Sequence, residues 1–95
     1  MRLNKRAIDG IKVPSGEYRI KVYDDEIHGY GISVHAAGRK SFFLEYGPAR
    51  RRRRMKLGDY GALTADMARR AALDAKARIA AGEDPISDRE RHRSL

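Results

Sequence analysis

The densest chemistry in this sequence is a run of five consecutive arginines, Arg50–Arg54, followed closely by Lys56. A guanidinium is a planar donor that takes phosphate oxygens, or the edge of a guanine, two hydrogen bonds at a time. Like charges crowded into one folded segment repel, and a bound polyanion removes that cost. The other candidate sites are poorer. Asp24, Asp25 and Glu26 form a carboxylate cluster with no His or Cys at metal-ligand spacing beside it, and it reads as a solvated turn. Gly29-Tyr30-Gly31 lacks the third glycine and the following helix of a phosphate-binding loop. Five tyrosines are present, yet no Ser/His/Asp or Arg/His/Tyr set assembles around a defined site, and Ser87 reads as a helix cap. No catalytic residue, metal site or cofactor is expected. The sequence contains no cysteine, which excludes a disulfide framework, a thiolate metal site and cysteine catalysis, and fits a reducing compartment.

The basic charge is concentrated. Residues 30–60 hold eight basic and two acidic side chains, a net +6 of the formal +8. Residues 1–29 (six against five) and 61–95 (seven against six) are each net +1. Fifteen of the 21 basic residues are Arg, which favours nucleic acid over a loosely held acidic partner. At 95 residues the chain is one small domain that buries about 60–65% of its unfolded surface, too thin a core to spare room for a drug-sized cavity. No stretch approaches 18 apolar residues, so no membrane span is expected. The basic start, residues 1–13, has no apolar run after it and does not read as a secretory signal.

Local patterns place these residues on a small α+β fold. Asn4 is the expected cap of a short helix over Lys5–Ile11, ended by Pro14-Ser15-Gly16. Period-two alternation then predicts strands with Tyr18, Ile20 and Val22; Tyr30, Ile32 and Val34; Phe42, Leu44 and Tyr46; and Met55 and Leu57 facing inward. Ala37-Gly38-Arg39 predicts a tight hairpin turn. Thr64 is the expected cap of a helix running to Ala81, with Gly82 just beyond it. Its buried face is expected at Met67, Ala68, Ala71, Ala72, Ala75 and Ile79, and its exposed face at Arg69, Arg70, Lys76, Asp66 and Asp74. Pro85 stops continuation, and Ser87-Asp88-Arg89-Glu90 reads as a capping box opening another helix.

The long helix covers one sheet face. The other face is expected to be wet and basic: Arg19, Lys21, Ser33, His35, Ser41, an exposed Phe43, Glu45, Arg52, Arg54 and Lys56. Such a face suits phosphates, base edges and thymine methyls, and a sheet is narrow enough to enter a major groove. Arg39, Lys40 and Ser41 sit at the hairpin end, and Arg50, Arg51, Arg52, Arg53 and Arg54 at and after the turn between the third and fourth expected strands. With His35, Phe43 and Lys56 they make the expected DNA-contacting set.

Three stretches carry a family resemblance. Leu3-Asn4-Lys5-Arg6-Ala7-Ile8, then Tyr30–Val34 with Gly38–Phe42, and above all Arg54-Met55-Lys56-Leu57-Gly58-Asp59-Tyr60 with Leu63–Arg69 and Gly82-Glu83-Asp84-Pro85, resemble the N-terminal arm-type DNA-binding domain of phage integrases, the tyrosine recombinases. The resemblance covers roughly residues 3–90, with Met67 where the family usually has Glu and a more basic turn at Arg50–Arg54. It implies a small antiparallel β-meander of three to four strands packed on a C-terminal helix, with a short N-terminal helix. It implies an arm-type domain over residues 1–86 and, at 87–95, the start of a linker helix to a core-binding domain. It also implies that the catalytic groups belong to a later domain, that the partners are double-stranded DNA (major groove and phosphates) and other integrase protomers, with no membrane, and that the protein is cytoplasmic, from a bacterium or a phage. Two other functions stay open on the residues: an RNA-binding sheet, which would want adjacent exposed aromatics, and a protein-docking sheet face, which would want an apolar centre.

Overall fold

The structure, a computed structural model, describes residues 2–82. A short helix α1 (Lys5–Asp9) precedes strands β1 (Arg19–Tyr23), β2 (Tyr30–His35), β3 (Lys40–Tyr46) and β4 (Arg53–Asp59), and helix α2 (Ala65–Ala80) follows. The strands form one antiparallel sheet in the order β1-β2-β3-β4, the expected meander with four strands. Both helix starts are capped as the sequence predicts. The Asn4 carboxamide oxygen accepts from the Ala7 amide at 2.8 Å, and the Thr64 hydroxyl from the Met67 amide at 3.1 Å. The β2–β3 hairpin turns at Gly38, whose φ of 98° is open to glycine and strained for other residues.

Ile32, Val34, Phe42, Leu44 and Met55 face α2, which meets them with Ala65, Ala68, Ala72 and Ala75. Leu3 and Ile8 close the same core from the N-terminal segment. Ala68, Ala72, Ala75 and Ile79 lie on the core as expected, whereas Ala65 joins them and Met67 is 50% exposed. Alanines let the helix axis approach the sheet, and a methionine in that seam would hold it off. Tyr18, expected inside, lies just before β1 and is 77% exposed, with its ring edge-on to His35 at 5.7 Å.

The acidic turn departs most from expectation. Asp24 is buried, and its carboxylate accepts from the amides of Leu3, Glu26 and Ile27, each at 2.9 Å. Arg69, expected on the exposed side of α2, keeps only 15% of its side chain exposed and donates to Asp24 at 2.7 Å. One carboxylate therefore ties the N-terminal segment, the β1–β2 loop and α2 together. The expected second helix and linker at 87–95 lie outside the described residues.

Candidate nucleic-acid interface

Register fixes the face opposite α2. Arg19 pairs with His35, Lys21 with Ser33, and Tyr23 with Gly31 across β1–β2. Gly31 pairs with Phe43 and Ser33 with Ser41 across β2–β3, then Phe43 with Lys56 and Glu45 with Arg54 across β3–β4. Among the described residues no helix packs on this face. Its rim of Arg19, Lys21, Arg52, Arg54 and Lys56 is exposed.

A bulge refines it. Phe42 pairs with Gly58 but Phe43 with Lys56, so Leu57 is the extra residue on β4. Leu57 and Gly58 then both lie on the core side, and Asp59 swings onto the open face opposite Ser41. There the Ser41 hydroxyl donates to Asp59 at 2.7 Å, and Lys56 pairs with the same carboxylate at 3.2 Å. These two partners hold the Asp59 carboxyl below its ordinary range.

Phe43 is on the open face, as expected, but only 3% exposed rather than presented to solvent. Its ring lies over Gly31, where a Cβ would come within 2.8 Å of Cζ. The Tyr23 ring meets it edge-on at 5.6 Å, and the Arg54 guanidinium covers it at 5.2 Å from the centroid. Tyr23 donates its phenol to Glu45, and that bond, with burial, raises the Tyr23 pKa. The ring is thus a buried pedestal for exposed polar groups. The sequence signal for it was the glycine between two strand residues, Tyr30 and Ile32, facing an aromatic on the next strand.

The remaining expected residues divide. Arg50 and Arg51 sit on a single 3-10 turn between β3 and β4, and Arg39 at the hairpin end, all exposed. Arg52 follows the turn on the open side, near Tyr23. Lys40 and Arg53 point the other way. Lys40 pairs with Val34, and its ammonium donates to the Ile8 carbonyl at 2.9 Å and lies 5.9 Å from the Tyr60 ring centroid. Arg53 pairs with Tyr46 on the core side. Tyr23, Asp59 and Arg19 on the open face are absent from the expected contact set. Ser33 is buried there with its hydroxyl unpartnered among the described residues.

The core side offers no comparable anion surface. Tyr30 is buried there, and desolvation pushes its phenol up to about 12. A cleft of about 490 Å³ near the β1–β2 loop is lined by Asp24, Glu26, Glu45, Arg52 and Lys76 among others, and so carries both signs. Lys76 is already bound to the His28 carbonyl at 3.0 Å. No group of three or more metal-ligating side chains occurs among the described residues, and none of their helices is long and apolar enough to cross a membrane.

A family model described as an arm DNA-binding domain matches residues 3–92. No curated protein matches the chain.

Proposed function

Because the chain belongs to the arm DNA-binding domain family, a non-catalytic DNA-binding module of phage-integrase-type proteins, we propose that it reads arm-type sites flanking a recombination core and does so through the open sheet face. In this reading the sheet lies in the major groove, other integrase protomers bind alongside, and a later domain of a tyrosine recombinase performs strand exchange. The carrying observation is the concentration of exposed cations on the open sheet face and at its two ends. Arg19, Lys21, Arg52, Arg54 and Lys56 line the face, against Glu45 and Asp59. Arg39 stands at one end of β3, and Arg50 and Arg51 at the other. A strand of this length spans roughly 20 Å, enough to straddle a groove about 12 Å wide and reach both phosphate backbones.

Arg39, Arg50 and Arg51 then grip phosphate, while His35, Ser41, Arg52, Arg54 and Lys56 face base edges. Phe43 supports the surface from below, and Lys40 and Arg53 stay on the scaffold side. Burial of Phe43 removes the stacking platform that an RNA-binding sheet would need, and the basic face lacks the apolar centre of a docking surface.

The experiment is a mobility shift of the chain on duplexes from the flanks of its element's attachment site, competed with random duplex and matched RNA. The flanking duplex is expected to resist both competitors. Arg51→Ala is expected to weaken every duplex about equally, and Arg52→Ala to cost about 1–3 kcal/mol on the flanking site alone. Equal losses on all duplexes for both variants would show that the sheet face reads no bases.

A further inference from the structure

Glu45 is an anomaly on a surface meant for phosphate. A carboxylate about 6 Å from a phosphate costs about 0.7 kcal/mol even in bulk water, and more where a groove excludes water. Glu45 does not offset that cost by neutralising a cation. Among the described residues its partner is the neutral Tyr23 phenol, not a cation. A carboxylate has about four acceptor positions, so one phenol leaves most of them unused.

Arg54 stands directly across from Glu45 in the β3–β4 register. Its guanidinium lies over the Phe43 ring, 5.2 Å from the centroid, and makes no ion pair among the described residues. A cation held over the ring face by its quadrupole keeps its position there, and its N–H donors are not consumed by a carboxylate. Opposed residues on neighbouring strands stand about 5 Å apart at Cβ. The result is a donor beside an acceptor, each anchored by an aromatic of the same face: Arg54 over the buried Phe43 ring, and Glu45 by the Tyr23 phenol.

The major-groove edge of a G·C pair presents N7 and O6 as neighbouring acceptors, then the cytosine N4 amino group as donor. An A·T pair presents no two adjacent acceptors to a guanidinium fork. We infer that Arg54 and Glu45 together read one G·C base pair, Arg54 donating to guanine O6 and N7 and Glu45 accepting from cytosine N4, with Tyr23 as the residue that positions Glu45. The inference rests on the placement of the open face against DNA proposed above.

The test is selection from a library of random duplexes, sequenced before and after, for the unaltered chain, Glu45→Ala, Tyr23→Phe and Arg54→Ala, alongside titration of one random duplex. Circular dichroism checks that each variant is folded. The unaltered chain is expected to select a motif with a fixed G·C pair. Glu45→Ala should lose roughly 5- to 100-fold discrimination at that pair only. It should also bind the random duplex roughly three- to ten-fold more tightly at low salt, because a like charge has gone. Tyr23→Phe should relax the same pair partially with no gain on random duplex, which a purely structural role would not produce. Arg54→Ala should release the guanine at that pair. If Glu45→Ala binds random duplex more tightly but keeps its motif intact, the base-pair inference fails and the sheet-face reading stands. If neither motif nor random-duplex affinity changes, Glu45 is away from DNA and both fail.

Discussion

Asp24 shows how much one carboxylate can decide. Its burial pushes the carboxyl pKa up, yet the amides of Leu3, Ile27 and Glu26 and the Arg69 guanidinium outweigh that, and the group titrates below its ordinary value. Replacing it by Ala strands three amides and a largely buried guanidinium, and a broken buried pair costs about 3–5 kcal/mol. Arg70→Ala, one residue from Arg69 but on the exposed side, should shift stability by less than about 0.5 kcal/mol. Because the folded-state pKa of Asp24 is depressed, the native chain stays ionised where the unfolded chain has already taken up a proton. The contribution is therefore full above the unfolded value near 4 and falls away as pH drops through the folded value. Denaturant unfolding from pH 7 downward should show that loss, and Asp24→Asn should flatten the acid limb. Asp9 and Asp59 are shifted in the same direction, so part of the slope will remain. A profile for Asp24→Asn parallel to that of the unaltered chain would remove Asp24 from this role. None of this was legible in the sequence, where Asp24 looks like its solvated neighbours. Only the return of α2 brings Arg69 to it, across 45 residues.

At the scale of elements, what is local was legible and what depends on a neighbour was not. The caps at Asn4 and Thr64, the turn at Gly38 and the inward phase of β2 and β3 are set within a few residues and stand where the pattern put them, whereas Tyr18 falls outside β1. The bulge at Leu57 was not, because Met55 and Leu57 alternate like any regular strand and only the partner β3 reveals two residues facing one. The edge of the α2 stripe, Ala65 rather than Met67, was hidden for a similar reason. Alanines surround the helix, so apolar periodicity alone does not say which stripe lies on the sheet. Sterics decide it, and that choice is testable. Ala72 is fully buried, so Ala72→Leu should overpack the seam and cost about 1–3 kcal/mol, whereas Met67→Gln should be nearly neutral. On the sheet, Gly31→Ala would place a Cβ 2.7 Å from the Val22 carbonyl oxygen and 2.8 Å from the Phe43 ring, and should both destabilise the fold and tilt the pedestal under Arg54. Thermal melts of these variants decide the matter. Equal melting temperatures for Ala72→Leu and Met67→Gln would contradict the observed stripe.

Over the whole molecule the decisive quantity is where charge remains unspent. Several cations are absorbed by the fold: Lys5 by Asp9, Arg69 by Asp24 and Glu26, Arg78 by Asp74, Lys40 and Lys76 by backbone carbonyls. Those pairs, with Asp66 exposed among them, make the α1 and α2 side a surface of mixed sign, on which Arg6, Lys12 and Arg70 are scattered rather than clustered. On the open face Arg19, Lys21, Arg52 and Arg54, and at its two ends Arg39, Arg50 and Arg51, make no ion pair among the described residues, and Lys56 shares Asp59 with Ser41. A net +6 over residues 30–60 pointed to this region, but only the fold separates Lys40 and Arg53 from the rest. If four to six of these cations replace counterions on a duplex, log K should fall against log salt with a slope of roughly −4 to −5. Removing Arg50 and Arg51 together should shallow that slope by about two on specific and random duplexes alike, since phosphate contacts carry no sequence. Arg70→Ala should leave it unchanged, because that residue lies on α2, across the sheet from the open face. Fluorescence anisotropy titrations from low to physiological salt measure all three. A flat response would overturn the electrostatic reading, and a slope that answers to Arg70 and not to Arg50 and Arg51 would move the DNA from the sheet to the helix.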